Sequence, residues 1–192
     1  IHPTPMVGMV GLIKNIDRVI PSFVQHPGDK VYLVGQTRDD YAGSELQKMM
    51  TGDISGIVKS FDLHHVHQYM QRLLTTMENG LVSSAHDLSE GGLGVALAET
   101  VFKTDLGLKI DLADQPATRL FSETPGRFIV TVAPEKATEF EQVLGKDAHL
   151  IGEVTNSHWL MVKLANGKLN ESVAKLQKTW EEAIPCQLKS KD

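Results

Sequence analysis

The stretch Leu81-Val82-Ser83-Ser84-Ala85-His86-Asp87-Leu88-Ser89-Glu90-Gly91-Gly92-Leu93 passes from an apolar run, through a polar turn, into a helix. Leu81 to Ala85 has the length of a buried strand. From Leu93 onward, Ala96, Leu97 and Val101 continue at helical spacing. Asp87, with Glu90 three residues on, has the pattern of a capping box. Two glycines in a first helical turn cost about 1 kcal/mol each relative to alanine, so Gly91 and Gly92 imply that something comes close to the backbone. Backbone amides at a helix start favour an anionic ligand. Packing of the helix on a sheet explains the same glycines, and these residues alone leave both explanations open.

Outward from this stretch, strands and helices alternate irregularly. Lys30 to Gly35, Leu108 to Leu112, Phe128 to Val132, His149 to Val154 and Trp159 to Leu164 read as strands, and Phe128-Ile129-Val130-Thr131-Val132 is the clearest. Met6 to Ile13 also reads as a strand, with two glycines that suggest a bulge or close approach. Ser44 with Gln47 marks a helix start. Asp62 caps a helix carrying Leu63, Val66, Met70, Leu73, Leu74 and Met77, which Asn79-Gly80 ends. Pro134 opens a helix containing Phe140, Val143 and Leu144. Val173, Leu176 and Trp180 form a last amphipathic helix, and Asn166-Gly167 is a turn. The order predicts an α+β fold, a mixed β-sheet layered with α-helices.

Composition narrows the function. The 192 residues carry 19 Lys and Arg against 24 Asp and Glu, a net charge of −5, and 41% of them are hydrophobic. That balance excludes a disordered chain. It also lacks the clustered basic residues that nucleic acid needs. No apolar run approaches the length of a membrane span. A single cysteine, Cys186, allows no intrachain disulfide and fits a reducing compartment. His64, His65 and His67 lack the i, i+4 spacing of paired helical metal ligands and have no cysteine beside them, so they read as a solvated helix edge. Phe121-Ser122-Glu123-Thr124-Pro125-Gly126-Arg127 precedes the strongest strand. Its hydroxyls and carboxylate suit a sugar or an amide. The alternative is a Pro-Gly turn with Arg127 paired to a surface acid.

Taken in order, Pro3-Thr4-Pro5-Met6-Val7-Gly8-Met9-Val10-Gly11, then Gly43-Ser44-Glu45, then His86 to Leu93, then Phe121 to Arg127, resemble the C-terminal end of the phosphoribosylformylglycinamidine synthase family. These are ATP-dependent ligases within the aminoimidazole ribonucleotide synthetase superfamily. The resemblance implies a fold like the C-terminal domain of aminoimidazole ribonucleotide synthetase. It makes residues 1–13 the last strand of a preceding nucleotide-binding domain, 14–29 a linker, 30–184 the C-terminal-type domain and 185–192 a loose tail. Ile1 then reads as an internal start, with the catalytic residues upstream and none in this chain. The implied reaction converts formylglycinamide ribonucleotide, glutamine-derived ammonia and ATP to the amidine in de novo purine biosynthesis.

ATP and Mg²⁺ are the implied cofactors of the whole enzyme, with none held tightly by this part alone. The implied partners are the rest of the polypeptide, a glutaminase and a small accessory subunit, in the cytoplasm, without nucleic acid or membrane. The substrate-binding residues implied here are Asp87, Gly91, Gly92, Ser122, Glu123 and Thr124. Thr124-Pro125 stands where the family's first domain copy has Ser-Gln, and Ala42 where a second glycine is usual. Two other readings stay open: a different member of the superfamily, and a free-standing binding or assembly module.

Overall fold

The computed structural model describes residues 6–13 and 15–189. Its strands are β1 (Lys30–Val34), β2 (Ser84–Asp87), β3 (Gly107–Leu112), β4 (Phe128–Val132), β5 (Ala148–Thr155), β6 (Trp159–Leu164) and β7 (Gly167–Ser172). The helices are α1 (Glu45–Thr51), α2 (Leu63–Glu78), α3 (Gly92–Glu99), α4 (Ala137–Leu144) and α5 (Val173–Lys189). One mixed sheet runs in the order β2-β4-β1-β5-β3-β6-β7. Only β3 and β6 pair in parallel; every other neighbouring pair is antiparallel. The C-terminal ends of β1, β2, β3 and β6 therefore meet at one end of the sheet.

Strand β1 lies between β4 and β5 and is buried on both faces, as its unbroken apolar run requires. Val31 and Leu33 join one core with residues of α3 and α5, among them Leu97 and Val173. Tyr32 and Val34 join the other with Tyr69 and Leu73 of α2 and Phe140 and Leu144 of α4. Side chains alternate across a strand, so one strand nucleates both layers. Over β5, β3 and β6 the second face stays open, with the cross-strand pairs Lys109–Glu153 and Lys163–Asp111 in solvent.

Several helix ends follow the sequence signals. The Asp62 carboxylate accepts from the His65 amide at 3.0 Å and starts α2. The Ser44 hydroxyl accepts from the Gln47 amide at 3.2 Å and starts α1. Gln47 does not return the bond. Its Oε1 accepts instead from the amides of Gly43 and Ser55.

Residues 6–13, expected as a strand of a preceding domain, are exposed and have no sheet partner among the described residues. Three expectations need correction. The 14–29 segment is a linker only in its first part. Val24 is buried in the first core, its amide bonds to the Thr100 carbonyl, and the Pro21 carbonyl accepts from Ala85 on the edge of β2. The tail is not loose from Pro185, because α5 continues through it to Lys189. The strand placed at Leu81 to Ala85 sits later, at Ser84–Asp87, while Leu81 and Val82 are buried ahead of it, Val82 in the second core.

Candidate functional site

Three loops converge where β1 and β2 end and β4 begins: residues 35–44, 87–92 and 121–127. Gly35, with φ +94°, turns the chain out of β1. The loop that follows is laced to the 121–127 entrance. Ser122 is fully buried, donates its hydroxyl to the Arg38 carbonyl and accepts from the Asp40 amide at 3.2 Å. Thr124 accepts from the Arg38 amide at 3.0 Å and donates to Asp40 Oδ2 at 2.8 Å. The Glu123 amide donates to the Asp40 carbonyl at 3.1 Å. The hydroxyls placed here as substrate ligands by sequence are thus engaged within the protein.

Glu123 behaves differently from its neighbours. It is half-buried, and its Oε1 accepts from the Gly91 amide at 2.8 Å and the Glu45 amide at 2.9 Å. Gly91 is the N-cap of α3 and Glu45 the first residue of α1, so one carboxylate oxygen caps two helices. Negative charge at both N-termini is favourable. Asp87 and Glu90 form no capping box. The Asp87 carboxylate lies on the exposed end of β2 and accepts from the Ser89 hydroxyl at 3.0 Å. The cap of α3 comes from 32 residues away in sequence, which local pattern does not reveal.

The glycine pair has a steric reason. Gly92 has φ +62°, and a Cβ there would meet the carbonyl oxygens of Ser122 and Leu120. Gly91 has φ +77°, and a Cβ would run into Val95. The Gly92 amide bonds to the Ser89 carbonyl at 3.1 Å, so neither glycine amide is open to a phosphate. Helix-on-loop packing explains Gly92, and the left-handed N-cap of α3 explains Gly91.

Arg127, read as a surface partner, is 1% exposed. Its Nε donates to the Thr124 carbonyl at 2.9 Å, Nη1 to the Thr37 hydroxyl at 3.0 Å and Nη2 to the Ser122 carbonyl. Burial lowers its pKa to about 10, while the nearby Asp40, Tyr69 and Glu123 work in the opposite direction. The guanidinium stays charged at neutral pH and stands behind the whole 121–127 entrance. A signal was present: Arg127 shares the strand parity of Ile129, which faces the first core. Tyr69 donates to the Gly126 carbonyl at 2.6 Å and holds the turn from α2.

What stays accessible is the Asp87 carboxylate, the second Glu123 oxygen, and a cleft of about 190 Å³ between 38–42 and 57–61, bordered by Glu123 and Pro125. His86 turns instead to α3, its Nε2 3.7 Å from Glu99 and its Nδ1 2.6 Å from the Asp87 carbonyl. Among the described residues, no three His, Cys, Asp or Glu side chains converge to hold a metal. His65 instead pairs with the buried Asp147 at 3.0 Å, which Arg72 also meets. The three loops thus form no all-protein metal cage, and both glycine amides at the start of α3 are taken. No helix among the described residues is long and apolar enough to cross a membrane.

Comparison with known proteins places this geometry. The phosphoribosylformylglycinamidine synthase subunit PurL of Limosilactobacillus reuteri (strain DSM 20016) is 96% identical over 192 residues, covering 100% of this chain and 26% of the relative. The chain thus spans about a quarter of the length of that curated relative. Thermotoga maritima PurL complexed with FGAR superposes with a TM-score of 0.71 at 25% identity, over 84% of this chain and 30% of that one. The same protein complexed with AMPPCP gives a TM-score of 0.67 at 25% identity, over 84% and 28%. The profile of one family matches residues 26–163, from the turn before β1 to the next-to-last residue of β6, and takes in all three loops of the site: the chain belongs to the family described as AIR synthase related protein, C-terminal domain.

Proposed function

We propose that this chain is the C-terminal part of an ATP-dependent ligase that converts formylglycinamide ribonucleotide and glutamine-derived ammonia to formylglycinamidine ribonucleotide. The observation that carries the reading is the 96% identity to a PurL subunit over every residue of the chain. The FGAR and AMPPCP complexes of the T. maritima relative support the ligand classes. ATP and Mg²⁺ are then cofactors of the whole enzyme, and the three loops described above hold neither of them tightly. The rest of the polypeptide, a glutaminase and a small accessory subunit are the partners, in the cytoplasm.

In this reading the six candidate residues divide. Gly91, Gly92, Ser122 and Thr124 shape the wall of a cleft between this domain and the one before it. Asp87 and the free oxygen of Glu123 face that cleft and accept hydrogen bonds from substrate hydroxyls or an amine. The test is steady-state kinetics of the whole protein. Asp87→Ala and Glu123→Gln are expected to raise KM for the ribonucleotide, and the isolated 192-residue chain to form no amidine. Unchanged kinetics in both variants would make the entire wall structural. Amidine formation by the isolated chain would overturn the placement of the catalytic residues outside it.

A further inference from the structure

A second cavity, of about 460 Å³, opens at the same end of the sheet beneath the ends of β1, β3 and β6. The 37–40 loop separates it from the site described above. Its floor is apolar and well packed: Leu33, Leu93, Leu112 and Ile151 are all buried. Its rim carries Gln36, Arg119 and His149, with Asp111 and Asp114 along the β3 side. The size lies in the range of small-molecule sites, and a dry floor with a few polar groups on one side is their usual chemistry.

The rim groups are only partly used. Arg119 donates Nε to Asp39 at 3.3 Å and Nη1 to Gln115 at 2.9 Å, leaving Nη2 without a partner among the described residues. Likewise, the described residues offer no hydrogen-bond partner to the Gln36 amide or the His149 ring, and both are exposed at the mouth. The acids nearby are engaged: Asp111 with Lys163, Asp114 with the Gln115 amide, Asp39 with Arg119. The open groups are therefore a guanidinium edge, an amide and an imidazole above a bed of leucines.

We infer that this cavity is a ligand site for a small organic anion, a planar heteroaromatic ring that carries a carboxylate directly or a phosphate through a short linker. The ring lies on Leu33 and Leu93, the acidic group meets Arg119, and Gln36 and His149 bond to the ring edge. Thr37 also lines the cavity while holding Arg127, and Arg119 holds Asp39. Occupancy is thus felt by the loop that shapes the first site.

The test is a titration of the ¹⁵N-labelled chain with AMP as the phosphate probe and nicotinate as the carboxylate probe. At least one is expected to bind saturably with a Kd below about 1 mM, shifting Gln36, Arg119 and His149. Arg119→Gln should weaken that binding about tenfold, a loss of one charge-assisted contact. Gln36→Ala, at an exposed residue without a partner, should weaken it severalfold and serves as the readout should Arg119→Gln fail to fold. The inference is overturned by no saturable shift with either probe up to about 10 mM. It is equally overturned by shifts centred on Gly91, Gly92 and Glu123, or by a Kd that every folded variant leaves unchanged.

Discussion

A Cβ at Gly92 would run into the carbonyl oxygens of Ser122 and Leu120, and the residue has a positive φ, so its role is decided by space and conformation together. Gly92→Ala adds a left-handed backbone penalty of about 1–2 kcal/mol to an overpacking cost of about 1–3 kcal/mol. Thermal unfolding should show a loss of about 2–5 kcal/mol, and a wild-type melt would mean that the entrance yields freely. Asp29 presents the opposite problem. It is buried, its Oδ2 has no partner, and desolvation raises its pKa against the weaker lowering by Ser83 and His26. A carboxyl raised in the folded state stabilises in acid, and that stability is lost as pH rises through the folded value. Asp29→Asn should therefore stabilise the chain at neutral pH and flatten the change in stability between neutral pH and the ordinary carboxylate value of 3.8. Denaturant unfolding at both ends of that range checks the sign.

At the scale of elements, the helix starts α1 and α3 depend on one carboxylate oxygen. Glu123→Ala leaves two amides uncapped, at about 1 kcal/mol each. Glu123→Gln keeps a carbonyl oxygen in place and should recover most of that loss. Amide hydrogen exchange at Glu45 and Gly91 should rise in the alanine variant and stay near wild type in the glutamine one. The same comparison separates capping from substrate contact, because only the latter leaves stability intact while moving KM. Sequence shows such elements unevenly. Strands β4 and β6 lie at the residues their apolar runs mark, and α2 begins and ends at Asp62 and Asn79 as its local caps dictate. Strand β7 is invisible in Gly-Lys-Leu-Asn-Glu-Ser, since one leucine gives no alternation; pairing to β6 makes it a strand. The six candidate residues were legible as a cluster. Their division into wall and contact was not, because it rests on bonds from Ser122, Glu123 and Thr124 to loops about 30 to 85 residues away.

For the whole molecule, the extent of the folded body is the property that the pattern of apolar residues misplaces. Met6, Val7, Met9 and Val10 look like a strand and lie bare in solvent, whereas Val24, within a stretch rich in turn signals, is 2% exposed. The segment around Pro21 and Val24 does two jobs. It satisfies the outer edge of β2 through the Pro21 carbonyl and closes the first core beside α3 through Val24. A chain beginning at Val19 should accordingly melt as cooperatively as the 192-residue chain, and lose any self-association that the apolar 6–13 stretch drives. A chain beginning at Gly28 keeps all seven strands, yet opens the β2 edge and the slot left by Val24. Emptying a buried valine site costs about 1–3 kcal/mol, and an open strand edge invites pairing between molecules. Sedimentation and thermal melts of the two truncations distinguish the cases. Equal stability and equal monomer content for both would show that residues 19–27 are a linker after all, and that the body begins at β1.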